Sequence, residues 1–184
     1  RDADLSENEA VFHMDAASGA AGAFAALMAL RRRERTGVGE LVEVSQSENM
    51  LNHIGELLID ASRTGAIHEP LGNRHRVHAP QGCYPCQGDD QWAVLSITDD
   101  EQWQSMVELL GSPEWATDPA LSTATGRQEH HDAIDKYLSE WTSTHTAQEI
   151  FEICQRAGIS AAPVLHEDET FTDAHFQQRG LFAT

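Results

Sequence analysis

Positive charge is what this chain has least of. Twelve Lys and Arg stand against 30 Asp and Glu in 184 residues, a formal net charge of −18. A field of that sign repels phosphate backbones and anionic lipid, so neither a nucleic acid nor a membrane surface is expected as a partner. It also argues against a general trap for anions and leaves room only for a local basic pocket. Cysteine is scarce as well. Cys83, Cys86 and Cys154 are odd in number and unevenly spaced, unlike a secreted disulfide framework. No apolar run reaches the roughly 18–20 residues that span a bilayer, and no signal-peptide pattern opens the chain. A cytoplasmic, reducing location is the expectation. Internal repeats and low-complexity tracts are missing too. What is present, 40% hydrophobic and 23% charged residues, marks a globular chain. Its length suffices for one good-sized domain or for a domain plus part of another.

The most informative stretch starts at Met14 and runs MDAASGAAGAFAALMALRRRERTGVGELVEVSQSE. One acid, Asp15, precedes a run of very small residues that includes Ala16, Ala17, Gly19, Ala20, Gly22 and Ala26. Asp15 suits a helix N-cap, where a carboxylate accepts backbone N–H bonds. Arg31 to Arg33 fall where cations favour the C-terminal end of the helix dipole, and Gly37 is a helix stop. A short strand is expected around Leu41 to Val44. A helix this poor in bulk lets a second backbone or a ligand come close. On spacing alone, a tightly packed helix with Asp15 as an ordinary cap accounts for the pattern.

Residues 1–13 read as an acidic lead-in. After the strand, Met50, Leu51, Ile54, Leu57, Leu58 and Ala61 follow helical spacing, which predicts one amphipathic helix ending at Gly65. The Pro-, Gly- and His-rich connector HEPLGNRHRVHAPQG has no period and marks a domain boundary. CYPCQGDDQWAVLSI predicts a β-hairpin turning at Gly88-Asp89-Asp90, with Ala93, Leu95 and Ile97 alternating against Trp92, Val94 and Ser96. Asp99 and Asp100 cap a helix with Trp103, Met106, Val107 and Leu110 on one face. A polar helix is expected from Thr125 to Trp141. Another, Ala147 to Arg156, is introduced by Thr146 with Glu149 at capping-box distance and stopped by Gly158. Ile159 to Leu165 predicts a strand, then a last short helix and the start of a further strand.

Asp15 followed at D-x3-G spacing by Gly19, then Ala29-Leu30-Arg31 and Thr36-Gly37-x-Gly39, resembles the family III CoA-transferases. That family includes formyl-CoA and crotonobetainyl/carnitine CoA-transferases and the α-methylacyl-CoA racemases. LGNRHRVHAPQGCYPCQGDDQW, then QW…LLGSPEW…DP…R, then GISAAPVL…E…D…H…RG agree with it in order over nearly the whole chain. The resemblance implies an α/β fold: part of a Rossmann-like large domain, helix-strand-helix, followed by the small α/β domain of the family. It implies these boundaries: residues 1–66 for the partial large domain, 67–82 for a linker loop, 83–175 for the small domain and 176–184 for the start of a return segment. It matches only the central-to-C-terminal part of such a chain. A missing N-terminal half would supply most coenzyme A contacts, so no coenzyme-binding residue is assigned. An interlocked homodimer, or a second chain supplying that half, is implied as partner.

In the family, the acid at the position of Asp15 is the covalent nucleophile. A carboxylate attacks an acyl-CoA thioester, the released thiolate attacks the mixed anhydride, and the acceptor acid reverses the sequence. The substrates implied are an acyl-CoA and a free carboxylic acid, with coenzyme A carried between them and no metal. Family racemases carry Phe-Gly after the aspartate and Glu after the Ile ending the hairpin strand. Here Ala16-Ala17 and Thr98 stand at those places, and this stretch of sequence offers no candidate for the second acid/base group that a proton shuttle needs. Transfer is therefore favoured over racemisation; a truncated inactive fold kept as an oligomeric interaction module is the third reading. In oxalate-using members a glycine-rich loop occupies the place of Arg74 to Gln81. His75, Arg76 and His78 here argue against an oxalate acceptor.

His75-x-x-His78 and Cys83-x-x-Cys86 have the residue types of a zinc site, but such pairs arise by chance among ten histidines, and a loop followed by a strand accounts for them. Asp99-Asp100-Glu101 matches no calcium loop. His130-His131 is expected on a solvated helix face, and Trp92, Trp103, Trp115 and Trp141 as core or interface anchors.

Overall fold

The computed structural model describes residues 13–67 and 71–182 of the chain. The chain divides between residues 70 and 71 into two compact units.

In the first unit, helix α1 spans His13–Thr36. It opens two residues before Asp15, so the aspartate lies inside the first turn and is not the cap. The rest of the expected lead-in, residues 1–12, lies outside the described residues. Gly37 ends α1 as expected: at φ +74° it takes the left-handed conformation, and its N–H reaches the Arg33 carbonyl at 2.8 Å. Arg32 closes the following turn by an ion pair to Glu40 at 2.8 Å.

The strand expected at Leu41 to Val44 does not form. A strand needs a partner for its backbone hydrogen bonds, and none lies beside it among the described residues. Leu41 is 85% exposed. The single helix expected up to Gly65 is two. Helix α2 spans Gln46–Leu51, with the Ser45 hydroxyl accepting from the Glu48 N–H at 3.3 Å, and α3 spans Gly55–Thr64. The break falls at Asn52, His53 and Ile54, where Asn, His and the following Gly55 are weak helix formers. Gly65, at φ +71°, ends α3.

The second unit holds the sheet. Strands β1 (Gln81–Pro85), β2 (Trp92–Ser96) and β3 (Ser160–Pro163) pair antiparallel in the order β1-β2-β3. Gln81 faces Ser96, which in turn faces Ser160. The hairpin and its alternation are as expected. Ala93, Leu95 and Ile97 turn inward and are buried, while Trp92 and Val94 are exposed. The turn holds Gly88 and Asp90 at positive φ. Four helices lie between β2 and β3 in sequence and furnish the core: α4 (Asp100–Leu109), α5 (Ala124–Glu129), α6 (His131–Thr142) and α7 (Ala147–Arg156). Trp103, Met106, Ile134, Leu138, Ile150 and Ile159 pack there against the inner face of the sheet.

Caps fix the helix starts. The Asp99 carboxylate accepts from the Gln102 N–H at 2.7 Å, and Thr146 and Glu149 form the predicted capping box. The polar helix expected from Thr125 to Trp141 is broken at His130. Its second half buries His131 to 2% exposure, against the expectation of a solvated face. After β3, a 3-10 turn at Glu169–Phe171 and helix α8 (Ala174–Gln178) follow, with no further strand up to residue 182.

Arg127 is the centre of this unit. It is fully buried, where an unpaired charge would be very costly. Its Nε donates to the Ala79 carbonyl at 2.6 Å, one Nη to the Leu121 carbonyl at 3.0 Å and the other to Asp100 at 2.8 Å. The guanidinium lies 5.5 Å from the Trp103 ring centroid. One side chain thus ties the loop before β1 to α4 and to the turn before α5. Next to it, Gly126 is obligatory: a Cβ there would lie 1.7 Å from the Ala120 carbonyl oxygen.

Candidate active site

Asp15 projects from the first turn of α1, and its carboxylate is exposed. The helix N-terminus favours negative charge at that place. One oxygen, Oδ1, accepts a hydrogen bond from Gln46 Nε2 at 2.8 Å; Oδ2 has no partner among the described residues. Gln46 is the first residue of α2, and Ser45 caps the same turn. The chain leaves α1, passes through the 37–44 segment and returns to place Gln46 beside Asp15. Two positions far apart in sequence thus meet at the end of α1.

One turn along α1, Ser18 falls on the same face as Asp15 at i+3 spacing. It is 7% exposed, and its hydroxyl has no partner among the described residues. Gly19 and Gly22 leave open space: a Cβ at either would meet nothing within 4 Å. The room inferred from the small residues is therefore real, and no described part of this chain fills it. Of Arg31 to Arg33, Arg32 serves the turn through Glu40.

The second unit contains a separate polar cluster. Arg74, in the loop before β1, donates to Asp132 at 2.6 Å and to Asp135 at 2.5 Å on α6. Tyr84 donates to the other Asp135 oxygen at 2.8 Å. Burial, then the neighbouring Asp135 charge, pushes the Tyr84 hydroxyl well above the usual tyrosine range. His131 Nε2 accepts from the Gln81 N–H at 3.2 Å, which puts the proton on Nδ1, and Nδ1 has no partner among the described residues. Burial holds this imidazole below the usual histidine range, although Asp135 pulls the other way. The cluster pins the loop that leads into β1.

The zinc-like residue types do not converge. His75 and His78 stack at 4.3 Å, and His75 Nδ1 accepts from the backbone N–H groups of Val77 and His78. Cys86 is buried and Cys83 half-buried, and burial raises both thiols. Among the described residues no three His, Cys, Asp or Glu side chains are grouped to hold a metal ion. No described helix is long and apolar enough to cross a membrane. An open cavity of about 540 Å³ lies against the sheet, lined by Asn73, Gln81, Val94, Ser96, Ser160 and their neighbours, none of them charged.

Residues 7–184 match the family model described as CoA-transferase family III, and the chain belongs to that family. It is 34% identical over 165 residues to a probable CoA-transferase from Mycobacterium tuberculosis, covering 89% of this chain and 20% of that protein. A succinyl-CoA–D-citramalate CoA-transferase from Chloroflexus aurantiacus is 31% identical, with coverage of 85% and 39%. A formyl-CoA:oxalate CoA-transferase from Escherichia coli is also 31% identical, with coverage of 84% and 42%. Among solved structures, a CAIB/BAIF family protein from Brucella suis superposes with a TM-score of 0.80 at 24% identity, covering 91% of this chain and 44% of that one. The mixed α/β fold is that of the family. The chain spans well under half the length of these relatives.

Proposed function

We propose that this chain carries the nucleophile of a CoA-transferase, and that Asp15 moves coenzyme A between an acyl-CoA thioester and a free carboxylic acid. One observation carries the reading. Asp15, the acid that the resemblance puts at the family's nucleophile position, is an exposed carboxylate with one oxygen unbonded among the described residues, beside small residues that leave the approach open. Oδ2 attacks the thioester carbonyl and expels CoA as thiolate, leaving a mixed anhydride on Asp15. The thiolate attacks the aspartyl carbon and releases the acyl group as a carboxylate, leaving an aspartyl-CoA thioester. The acceptor acid then takes the coenzyme by the same two steps in reverse. Carboxylate and thioester are exchanged for their like, so the catalyst's task is position and charge stabilisation.

The partial length of the chain relative to its relatives, together with the exposed apolar residues of the first unit, supports completion of the site by further polypeptide. That polypeptide is the rest of a longer chain or a second chain, within an interlocked homodimer as in the family. The same exposed residues favour a second reading, a folded interaction module without chemistry. It would show as a stable oligomer with no affinity for coenzyme A.

The test is a denaturing intact-mass spectrum before and after incubation with a panel of acyl-CoAs that includes succinyl-CoA and formyl-CoA. A coenzyme-sized or acyl-sized gain that is absent in Asp15→Asn is the expected result. An unmodified wild-type chain across the panel would move the module reading ahead.

A further inference from the structure

We infer that Gln46 is a second catalytic residue: its side-chain amide is the donor that stabilises the oxyanion formed on Asp15 Oδ1 when the aspartyl carbon is attacked. The inference rests on Asp15 being the nucleophile and adds a step-specific role for a neutral residue.

The two oxygens of Asp15 are not equivalent. Gln46 holds Oδ1 at 2.8 Å, while Oδ2 has no partner among the described residues. An ionised carboxylate only accepts, so the group facing it is the –NH₂ of Gln46 and not its carbonyl. The unbonded oxygen is the better placed to attack, and the bonded one keeps its identity throughout. In the first step Oδ2 forms the new C–O bond as the C–S bond of the thioester breaks, and Oδ1 becomes the carbonyl oxygen of the anhydride. In the second step the thiolate adds to the Asp15 carboxyl carbon. The C=O π pair moves onto Oδ1, which then carries a full negative charge. When that pair returns, the bond to Oδ2 breaks and the acyl group leaves as a carboxylate, taking Oδ2 with it. When the acceptor carboxylate attacks the aspartyl-CoA thioester, charge again gathers on Oδ1, and this time the thiolate leaves.

A donor at 2.8 Å from the atom that becomes the oxyanion meets the geometric requirement for such stabilisation, about 2.7–3.1 Å. Gln46 gains strength at each attack on the aspartyl carbon. It gains nothing in the first step, where Oδ1 loses negative charge. The two steps should therefore respond differently to its loss. A residue that merely clasped α1 to α2 would have no such preference.

Gln46→Leu keeps the approximate volume and removes the donor; Gln46→Asn keeps an amide on a shorter arm. Each is mixed with succinyl-CoA, quenched in acid at increasing times and read by intact mass, which separates the acyl-sized anhydride from the coenzyme-sized thioester. The expected result for Gln46→Leu is an anhydride formed at close to the wild-type rate, which then accumulates, with the thioester appearing roughly 100-fold more slowly, one oxyanion donor's worth. Gln46→Asn should fall between. Far-UV circular dichroism should be unchanged, because Gln46 is exposed. Equal slowing of both adducts, or no slowing, overturns the inference and leaves Asp15 as nucleophile. A wild-type chain that forms neither adduct removes the nucleophile reading and this inference with it.

Discussion

The two units of this protein are built to different standards of completeness. In residues 71–182 the sheet and four helices enclose a core in which Trp103, Leu95, Ile97, Met106, Ile134 and Leu138 are all at or below 2% exposure. Each such side chain is worth about 1.5–3 kcal/mol of burial. In residues 13–67 no apolar side chain is buried; only Ser18 is. Phe24, Leu27, Ile59 and Leu41 are each more than 60% exposed. The second unit carries its own stability. The first displays the candidate nucleophile on helices whose apolar residues are at most half-buried among the described residues. All four tryptophans lie in the second unit, so indole fluorescence reports it alone, while far-UV circular dichroism reports the helices of both.

The sharpest way to break the comparison is to remove a cation from each unit. Arg127→Ala leaves the Ala79 and Leu121 carbonyls without their donor inside a packed core, and the solvated Asp100 without its ion-pair partner. Each buried carbonyl left unsatisfied costs about 1–3 kcal/mol, and the fluorescence-detected urea midpoint should fall accordingly. Arg32→Ala removes an ion pair between exposed side chains. Followed by far-UV circular dichroism, which also reports the first unit, it should change stability by less than about 1 kcal/mol. Comparable losses from the two variants would show that the first unit is better ordered than its burial implies.

A glycine in each unit gives the next contrast. Gly126→Ala drives a methyl group to 1.7 Å from a backbone carbonyl that cannot retreat without unwinding the turn before α5. The cost should lie at the upper end of the overpacking range, about 3 kcal/mol. Gly19→Ala meets nothing within 4 Å. It should instead add helicity, with a gain of up to about 1 kcal/mol from helix propensity. Helical content after each substitution, measured by circular dichroism, checks both signs. A Gly19→Ala chain that loses helix would mean that the open space beside α1 is already occupied in solution.

The same contrast explains which parts of the fold could be read from the residues. The hairpin, α4 and α7 carried complete local signals: alternation, an Asp cap, a Thr146/Glu149 box and a stopping glycine. Each of these elements then met the core that its pattern implied. The 41–44 strand carried its pattern too, but a strand is a statement about a neighbour, and none is there among the described residues. The polar helix suggests a solvated face for His130-His131. Yet His131 lies in register with Ile134 and Leu138 on the buried stripe of α6, and that spacing could have found it. Arg127 gave no such cue, since its burial depends on carbonyls six and 48 residues away. In the candidate site Asp15 was legible as an acid at a helix start in a family motif. Gln46 was not, because a neutral amide 31 residues distant leaves no pattern.

His131 supplies the smallest effect, and one confined to the second unit. The imidazole is buried and uses Nε2 to accept from the Gln81 N–H; a second proton on Nε2 would break that bond, with the Asp135 carboxylate 3.5 Å away only partly offsetting the cost of burial. Its folded affinity for a proton is therefore below that of the unfolded chain. Between the lowered folded pKa and the ordinary value near 6.5, the unfolded state binds more protons than the native one. Stability then falls as pH drops below about 6.5, by at most about 1.4 kcal/mol per pH unit for a single group. The check is the difference in fluorescence-detected urea midpoint between wild type and His131→Asn, followed from pH 7.5 to pH 5. Carboxylates that titrate lower contribute alike to both and cancel. The two curves should converge toward acid pH, because the variant has already lost the Gln81 acceptor and has no proton to gain. Parallel curves would mean that water reaches Nδ1 and that the imidazole is free to charge inside the fold.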